Sequence, residues 1–312
     1  MSGARGLDLL ILGDCNPDLV LADPDLQPSF GQVERLVDDA QLTIGGSGAI
    51  MACAAARLGL RTAIAAVVGD DLFGRFMVDA LDERAVDTSA IVVDSELRTG
   101  LSVILARSGD RAILTYTGAI TALSAERIDP ELLASARHVH VSSYFQQTAL
   151  APGLARLLAG ARRAGKTTSL DPNWDPREEW DAGLRELLPA LDVLMPNAAE
   201  VCRIAGNDDP RRAAQELAEM GPVVTVKLGA DGAIAARAGE ELIAATAPSG
   251  IESVDAIGAG DTFDAGLLAG RLGGAGIEDS LALACACGTL STRAMGGTEG
   301  QPTLAQAQAA IA

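Results

Sequence analysis

Aromatic residues and lysine are scarce in this chain: Phe, Tyr and Trp make up 3% of its 312 residues, and Lys166 and Lys227 are the only lysines. With so few rings, a core of the size this length can bury must be built from Ala, Leu, Val and Ile, which the 48% hydrophobic content supplies. With two lysines, no lysine-rich phosphate cradle can be assembled. Long apolar runs are missing too: charges interrupt every candidate before the ~20 residues that span a bilayer. Met1 to Asp8 passes straight into a strand pattern, so no leader peptide is expected. Five cysteines, an odd number lying mostly in apolar surroundings, read as reduced thiols of a cytoplasmic protein. Cys285 and Cys287 are too close together for a metal site of known spacing. The formal charge of −18 argues against nucleic acid and anionic membrane as partners. An anionic ligand must then be met by local donors, helix ends and divalent cations rather than by the overall field.

What is present is an alternation of patterns. Strand-like runs occur at Leu7–Leu12, Thr62–Val68, His138–Val141, Thr167–Leu170, Val193–Met195 and Val223–Lys227. Helical spacing falls at Gly48–Leu58, Leu72–Ala80, Pro152–Ala164 and Arg212–Met220. Such alternation predicts an α/β fold with a mostly parallel central sheet and helices on both faces. Two stretches break the rhythm, about 18–44 and 99–118, with alternating β-type patterns and a hairpin turn at Ser108-Gly109-Asp110-Arg111. They are read as a small β lid over the carboxyl edge of the sheet, so that 1–312 forms one domain carrying a lid. Gly273 to Asp279 and Gly296 to Gln301 read as loops.

The most informative stretch is Asp255-Ala256-Ile257-Gly258-Ala259-Gly260-Asp261-Thr262-Phe263. The apolar run from Thr262 to Leu272 predicts a helix, so the N–H groups of Gly258, Ala259 and Gly260 converge at a helix N-terminus and favour an anion. Asp261 there is either the helix cap or a base that takes a proton from a hydroxyl attacking a phosphate. A literal Walker string, Gly160 to Thr167, stands in the wrong context: it closes a helix and leads into a strand, where Gly165 reads as a helix C-terminal glycine. Gly46-Ser47-Gly48 lacks the third glycine of a dinucleotide fingerprint.

These motifs resemble those of the ribokinase-like (PfkB) carbohydrate kinases. Asp255 to Asp261 matches that family's C-terminal Asp-Thr-x-Gly-Ala-Gly-Asp. Gly45-Gly46-Ser47-Gly48-Ala49, running on to Val67-Val68-Gly69-Asp70, matches its N-terminal signature. Asn197-Ala198-Ala199-Glu200 matches Asn-x-x-Glu, and Gly13 to Asp18 matches the opening Gly-x-x-x-x-Asp. The resemblance spans nearly the whole chain and implies a ribokinase-like fold with a β lid. It implies an ATP-dependent sugar kinase in which Asp261 is the base, the amides of Gly258, Ala259 and Gly260 steady the transferred phosphoryl group, and Mg²⁺ is required. A nucleoside kinase, or an idle sugar- or nucleotide-binding sensor, is the alternative; few aromatics disfavour the first and the retained Asp261 the second.

Site residues follow from the same match, each beside a plainer reading. Asn197 and Glu200 line the nucleotide side, Glu200 holding Mg²⁺ through water, or they form a capping box. Lys227, Gly229 and Gly232 resemble the strand and turn of the nucleotide pocket, or Lys227 simply ends a strand. Asp255 with nearby carbonyls, Ile257 among them, binds a monovalent cation such as potassium, or Asp255 forms a turn. Asn16 and Asp18 meet sugar hydroxyls, or make an Asx turn around Pro17. Gly45, Gly46 and Ser47 let the backbone approach the sugar. Asn173, in Asp171-Pro172-Asn173, belongs to the sugar side or to a turn. Two departures stand out: Ala256 where Thr is usual and Ile50 where Asn is common. The near Arg that often follows Asp-Pro-Asn is absent; Trp174-Asp175-Pro176 comes instead. His138 and His140 are read as sheet-packed or strand-end residues. Relatives often pair through the lid, which implies a homodimer.

Overall fold

The computed structural model describes residues 6–107 and 110–311. Its strands are β1 (Leu9–Leu12), β2 (Asn16–Ala22), β3 (Asp39–Gly45), β4 (Thr62–Gly69), β5 (Ile91–Asp94), β6 (Leu101–Arg107) and β7 (Asp110–Tyr116). They continue with β8 (His138–Val141), β9 (Thr167–Leu170), β10 (Val193–Leu194), β11 (Val223–Lys227), β12 (Ala233–Ala236) and β13 (Ile243–Ala245). The helices are α1 (Ser47–Arg57), α2 (Leu72–Asp82), α3 (Pro130–Ser135), α4 (Ala151–Arg163) and α5 (Leu184–Leu187). They continue with α6 (Ala198–Ala205), α7 (Pro210–Ala218), α8 (Ala259–Leu272), α9 (Ile277–Ser291) and α10 (Leu304–Ile311).

Nine strands form the main sheet in the order β13-β12-β11-β10-β9-β8-β1-β4-β5. Pairing is parallel from β11 through β5 and antiparallel only at β11–β12 and β12–β13. Because both faces are covered, successive strand residues bury in opposite cores. Leu9 and Ile11 join α1, α2, α8 and α9 on one face, whereas Leu10 and Leu12 join α4, α6 and α7 on the other. The sequence-predicted helices and parallel strands fall within a few residues of these elements. A boundary shifts at α9, which begins at Ile277, so Asp279 lies in its first turn and not in a loop.

The second sheet has four strands, β3-β2-β6-β7, with β2–β6 parallel and the other pairs antiparallel. It is made from the two stretches that break the α/β rhythm. Ser108 and Gly109 of the expected hairpin lie outside the described residues; the strands that flank them pair antiparallel from Arg107↔Asp110 onward. His138 and His140 are buried in β8. His138 meets Thr167 Oγ1 and Ser169 Oγ at 2.7 Å each, and His140 Nδ1 meets the same Ser169 oxygen at 2.7 Å. They are sheet-packed, and burial pushes both imidazoles down to about 3, so they stay neutral. No described helix is long and apolar enough to cross a membrane.

Candidate active site

Parallel α/β sheets place ligands beyond the carboxyl ends of their strands. Here the ends of β1, β9 and β11, the start of α8 and the inner face of the small sheet enclose a cleft of about 420 Å³. Asn16, Asp18, Ser47, Asn173 and Asp261, all expected in the site, line it together. So do Asn197, Glu200, Lys227, Gly229, Gly258 and Gly260 from the nucleotide-side and turn motifs.

Gly258 starts α8 in the left-handed region, φ 70°, and Thr262 N–H closes the first turn onto its carbonyl at 2.9 Å. A Cβ at Gly258 would lie 2.8 Å from both the Gly297 carbonyl and Ile50 Cγ2, so glycine is required by conformation and by space. The helix therefore opens at Ala259, earlier than the apolar run suggested. Ala259 N–H is partly spent on the Ala256 carbonyl at 3.3 Å. Among the described residues the amides of Gly258, Gly260 and Asp261 have no acceptor, so the set of free donors is shifted one residue from the expected trio. Asp261 makes no capping bond. Its half-buried carboxyl faces the cleft instead.

Two acids and a lysine pack beneath that turn. Lys227 Nζ donates to Asp171 Oδ2 at 2.8 Å and to both oxygens of Asp264 at 3.2 Å. The side chains of Lys227, Asp171 and Asp264 are 12%, 5% and 1% exposed, so this pairing is internal. Burial drives the Asp264 carboxyl well above the ordinary range, with Lys227 pulling the other way. Burial also works against the Asp171 charge, but Lys227 and these hydrogen bonds hold its carboxyl below the usual value. Burial opposes the Lys227 charge as well, and Asp171, Asp264 and Glu200 together raise the ammonium above its normal range. Asp261 is pushed up to about 8, first by burial and then by the charges of Asp171 and Asp14, with Lys227 and the Ser47 hydroxyl pulling the other way.

Asn197 and Glu200 form the capping box of α6. The Glu200 amide donates to Asn197 Oδ1 at 3.0 Å, and the Asn197 amide donates to Glu200 Oε2 at 2.9 Å. Asn197 Nδ2 adds a bond to Glu200 Oε1 at 2.6 Å. The plainer reading and the site reading coincide here, since Glu200 also lines the cleft. Burial, then Asp171, push its carboxyl up to about 7. Asp255 is a turn former: its two oxygens accept the N–H groups of Ile257 and Gly296, each at 2.9 Å.

On the opposite wall, Asn16 and Asp18 are two apart in β2, both buried and both turned into the cleft, so no Asx turn forms around Pro17. Burial and the Asp14 charge push Asp18 up to about 7. Gly45 does not line the cleft; the space a Cβ would need there is filled by the Asp18 carboxylate, which is why this position is small. Gly46 and Ser47 do line it. Asn173 adopts φ 54° and donates to Ser47 Oγ at 2.5 Å and Ser143 Oγ at 3.2 Å, bracing the floor. Ile50 presents an apolar wall behind Gly258.

Several residues of the site carry no local signal. Asp14 caps α1 from 33 positions upstream, its carboxylate accepting from Ser47 N–H at 3.0 Å and Gly48 N–H at 2.9 Å. Arg111, Ile113 and Thr115 alternate along β7 and turn into the cleft, a period-two pattern that sequence alone cannot aim. Arg111 approaches Asp255 at 3.8 Å. A second cavity of about 330 Å³ lies on the far side of the α8 turn, bounded by Gly232, Pro248, Ile251, Phe263 and Thr289. It shares Lys227, Gly229, Ala256 and Gly260 with the cleft.

The raised acids make a stability prediction. Between the ordinary carboxylate range and about 7 to 8, folded Asp18, Glu200 and Asp261 hold protons that the unfolded chain has released. Stability therefore falls as pH rises through that window. The ligand-free protein is expected to melt at a higher temperature near pH ~5 than near pH ~8. A melting temperature that rises over the same interval contradicts these assignments.

Comparison with known proteins gives this architecture a family. The profile described as "pfkB family carbohydrate kinase" matches residues 7–304. The chain is 31% identical over 304 residues to an ATP-dependent ribose-1-phosphate kinase of Halopiger xanaduensis, covering 95% of each. It is 34% identical over 282 residues to a fructokinase of Klebsiella pneumoniae, covering 83% of this chain and 88% of the relative. A putative ribokinase II of E. coli, solved in complex with ATP and Mg²⁺, superposes with TM-score 0.84 and 26% identity over 98% of this chain and 99% of that one. The chain belongs to the pfkB family of carbohydrate kinases. It has the ribokinase fold and is a phosphotransferase with a hydroxyl acceptor.

Proposed function

We propose that the protein transfers the γ-phosphate of ATP to a hydroxyl of a small carbohydrate held between Asp18 and Asp261. The observation that carries this reading is the shared mouth of α8: an uncapped acid and free backbone amides face one cleft. The acceptor hydroxyl sits against Asp261, which takes its proton as the new P–O bond forms. The amides of Gly258, Gly260 and Asp261 meet the charge on the transferred group without having to reorganise. Asn16, Asp18, Ser47 and Asn173 orient the sugar, while Gly229 and Gly232 border the nucleotide in the smaller cavity. Glu200 suits Mg²⁺: it is a hard oxygen donor whose two oxygens each accept one protein hydrogen bond and keep lone pairs for a water. Mg²⁺, when bound, neutralises phosphate oxygens. The small sheet acts as a lid that excludes water.

Among the described residues, none lining the cleft is aromatic, which favours a sugar over a nucleoside whose base needs stacking. Arg111 on the lid suits a substrate that carries an anionic substituent, as the phosphate of ribose 1-phosphate does. A panel of sugars, phosphosugars and keto-deoxy acids assayed for ATP-dependent turnover, with Asp261→Asn as control, tests the reading. It expects turnover of at least one, abolished by the substitution; turnover of nucleosides alone contradicts it. The outer face of the lid leaves Leu42, Leu114 and Tyr116 exposed, and we place a dimer contact there. Leu114→Glu is expected to shift sedimentation from dimer to monomer; a wild-type monomer refutes the contact.

A further inference from the structure

The two cavities meet at four residues, Lys227, Gly229, Ala256 and Gly260, and only one of these is charged. Among the described residues, Lys227 is also the single charged one lining the smaller cavity. In a chain of net charge −18 whose cleft is lined by five carboxyl groups, that is an unusual placement for one of two lysines. Its ammonium lies 3.7 Å from the point a Cβ on Gly260 would occupy, directly beneath the turn of free amides. It is held rather than loose. Asp171 takes one N–H and Asp264 a second, shared between its two oxygens. An ammonium has three donors, so one remains. The neighbouring ring, His140, is fully buried and neutral, and its Nε2 has no partner, so it neither adds charge nor competes for the carboxylates.

We propose that Lys227 is a catalytic residue, a built-in cation at the junction that contacts the phosphoryl group as it passes between the cavities, with Asp171 and Asp264 as its positioning residues. The inference rests on the kinase reading above, because the junction lies on the path of transfer only if donor and acceptor occupy the two cavities. Fixing the ammonium between two buried carboxyls removes the rotamer search that a free lysine pays for each turnover. The pairing also explains Asp264, one turn along α8 from Asp261, a position at which a helix of this kind gains nothing from a buried acid unless a cation meets it.

The experiment compares wild type, Asp171→Asn and the double variant Lys227→Met/Asp171→Asn. The double variant removes both members of the ion pair and leaves no stranded charge, so the fold can be checked by thermal melting. Two quantities are read with a sugar found in the panel: steady-state kinetics, and affinity for ADP plus aluminium fluoride, a mimic of the phosphoryl group in transit. Relative to Asp171→Asn, the double variant is expected to lose about 10²–10³-fold in kcat. The sugar KM is expected to change little, the mimic to weaken in parallel with kcat, and ADP alone to bind as before. A kcat within a few-fold of Asp171→Asn overturns the proposal, as does a fall in kcat with unchanged affinity for the mimic. If wild type itself turns over no sugar, the kinase reading fails and this inference falls with it; wild-type turnover with an unimpaired double variant sinks the inference alone.

Discussion

Asp261→Asn is expected to lower kcat by about 10²–10⁴-fold while sugar and ATP still bind. The amide is nearly isosteric and keeps the turn, since Asp261 makes no capping bond that the change would remove. What it loses is the basic carboxylate: the amide oxygen still accepts a hydrogen bond but is too weak a base to take the hydroxyl proton. The same assignment sets a pH dependence. In the ligand-free protein the Asp261 carboxyl is held up to about 8 by burial and by Asp171 and Asp14. A base must be ionised to act, so kcat/KM should rise with pH through that region and level off above it. Release of ADP followed across pH in both proteins checks this. Full turnover by the Asn variant contradicts the mechanism.

Lys227→Met is expected to produce the largest loss of stability in the site, about 3–5 kcal/mol, because it leaves the Asp171 charge buried without its ammonium. Adding Asp171→Asn should recover most of that loss, since the pair is then replaced by neutral groups. Chemical denaturation of the three proteins at one pH separates the outcomes. A single variant as stable as wild type would mean that the 2.8 Å ion pair is not formed in solution.

How far sequence reasoning reached can be traced element by element. Parallel strands rich in Val, Ile and Leu, with amphipathic helices such as α4 and α7 between them, stand out by period. By contrast α9 is buried nearly all round, so no apolar stripe marks it, and the loop expected at Gly273–Asp279 overlaps its first three residues. Strand β12, one in from the sheet edge, reads Ala-Ile-Ala-Ala, three alanines with little strand preference around one isoleucine, and pairing with β11 and β13 on its two sides makes it extended. Within the site, contiguous motifs were readable because their spacing is local: Gly258–Asp261, Asn197–Glu200 and Gly46–Ser47. Asp14, Arg111 and Asp264 were not, because each is defined by a partner more than thirty residues away or by which face of a strand is turned inward. Lys227 lay between. Its position at the nucleotide turn was expected, but its enclosure by Asp171 and Asp264 follows from the convergence of β9, β11 and α8.

The most direct test is a structure with a turned-over sugar and a non-hydrolysable ATP analogue bound together. The account predicts the acceptor hydroxyl within hydrogen-bond reach of the Asp261 carboxylate, about 2.6–3.2 Å, with the terminal phosphate at the Gly258–Gly260 amides and in line with it. A hydroxyl turned away from Asp261, or phosphates seated clear of the α8 turn, would contradict it.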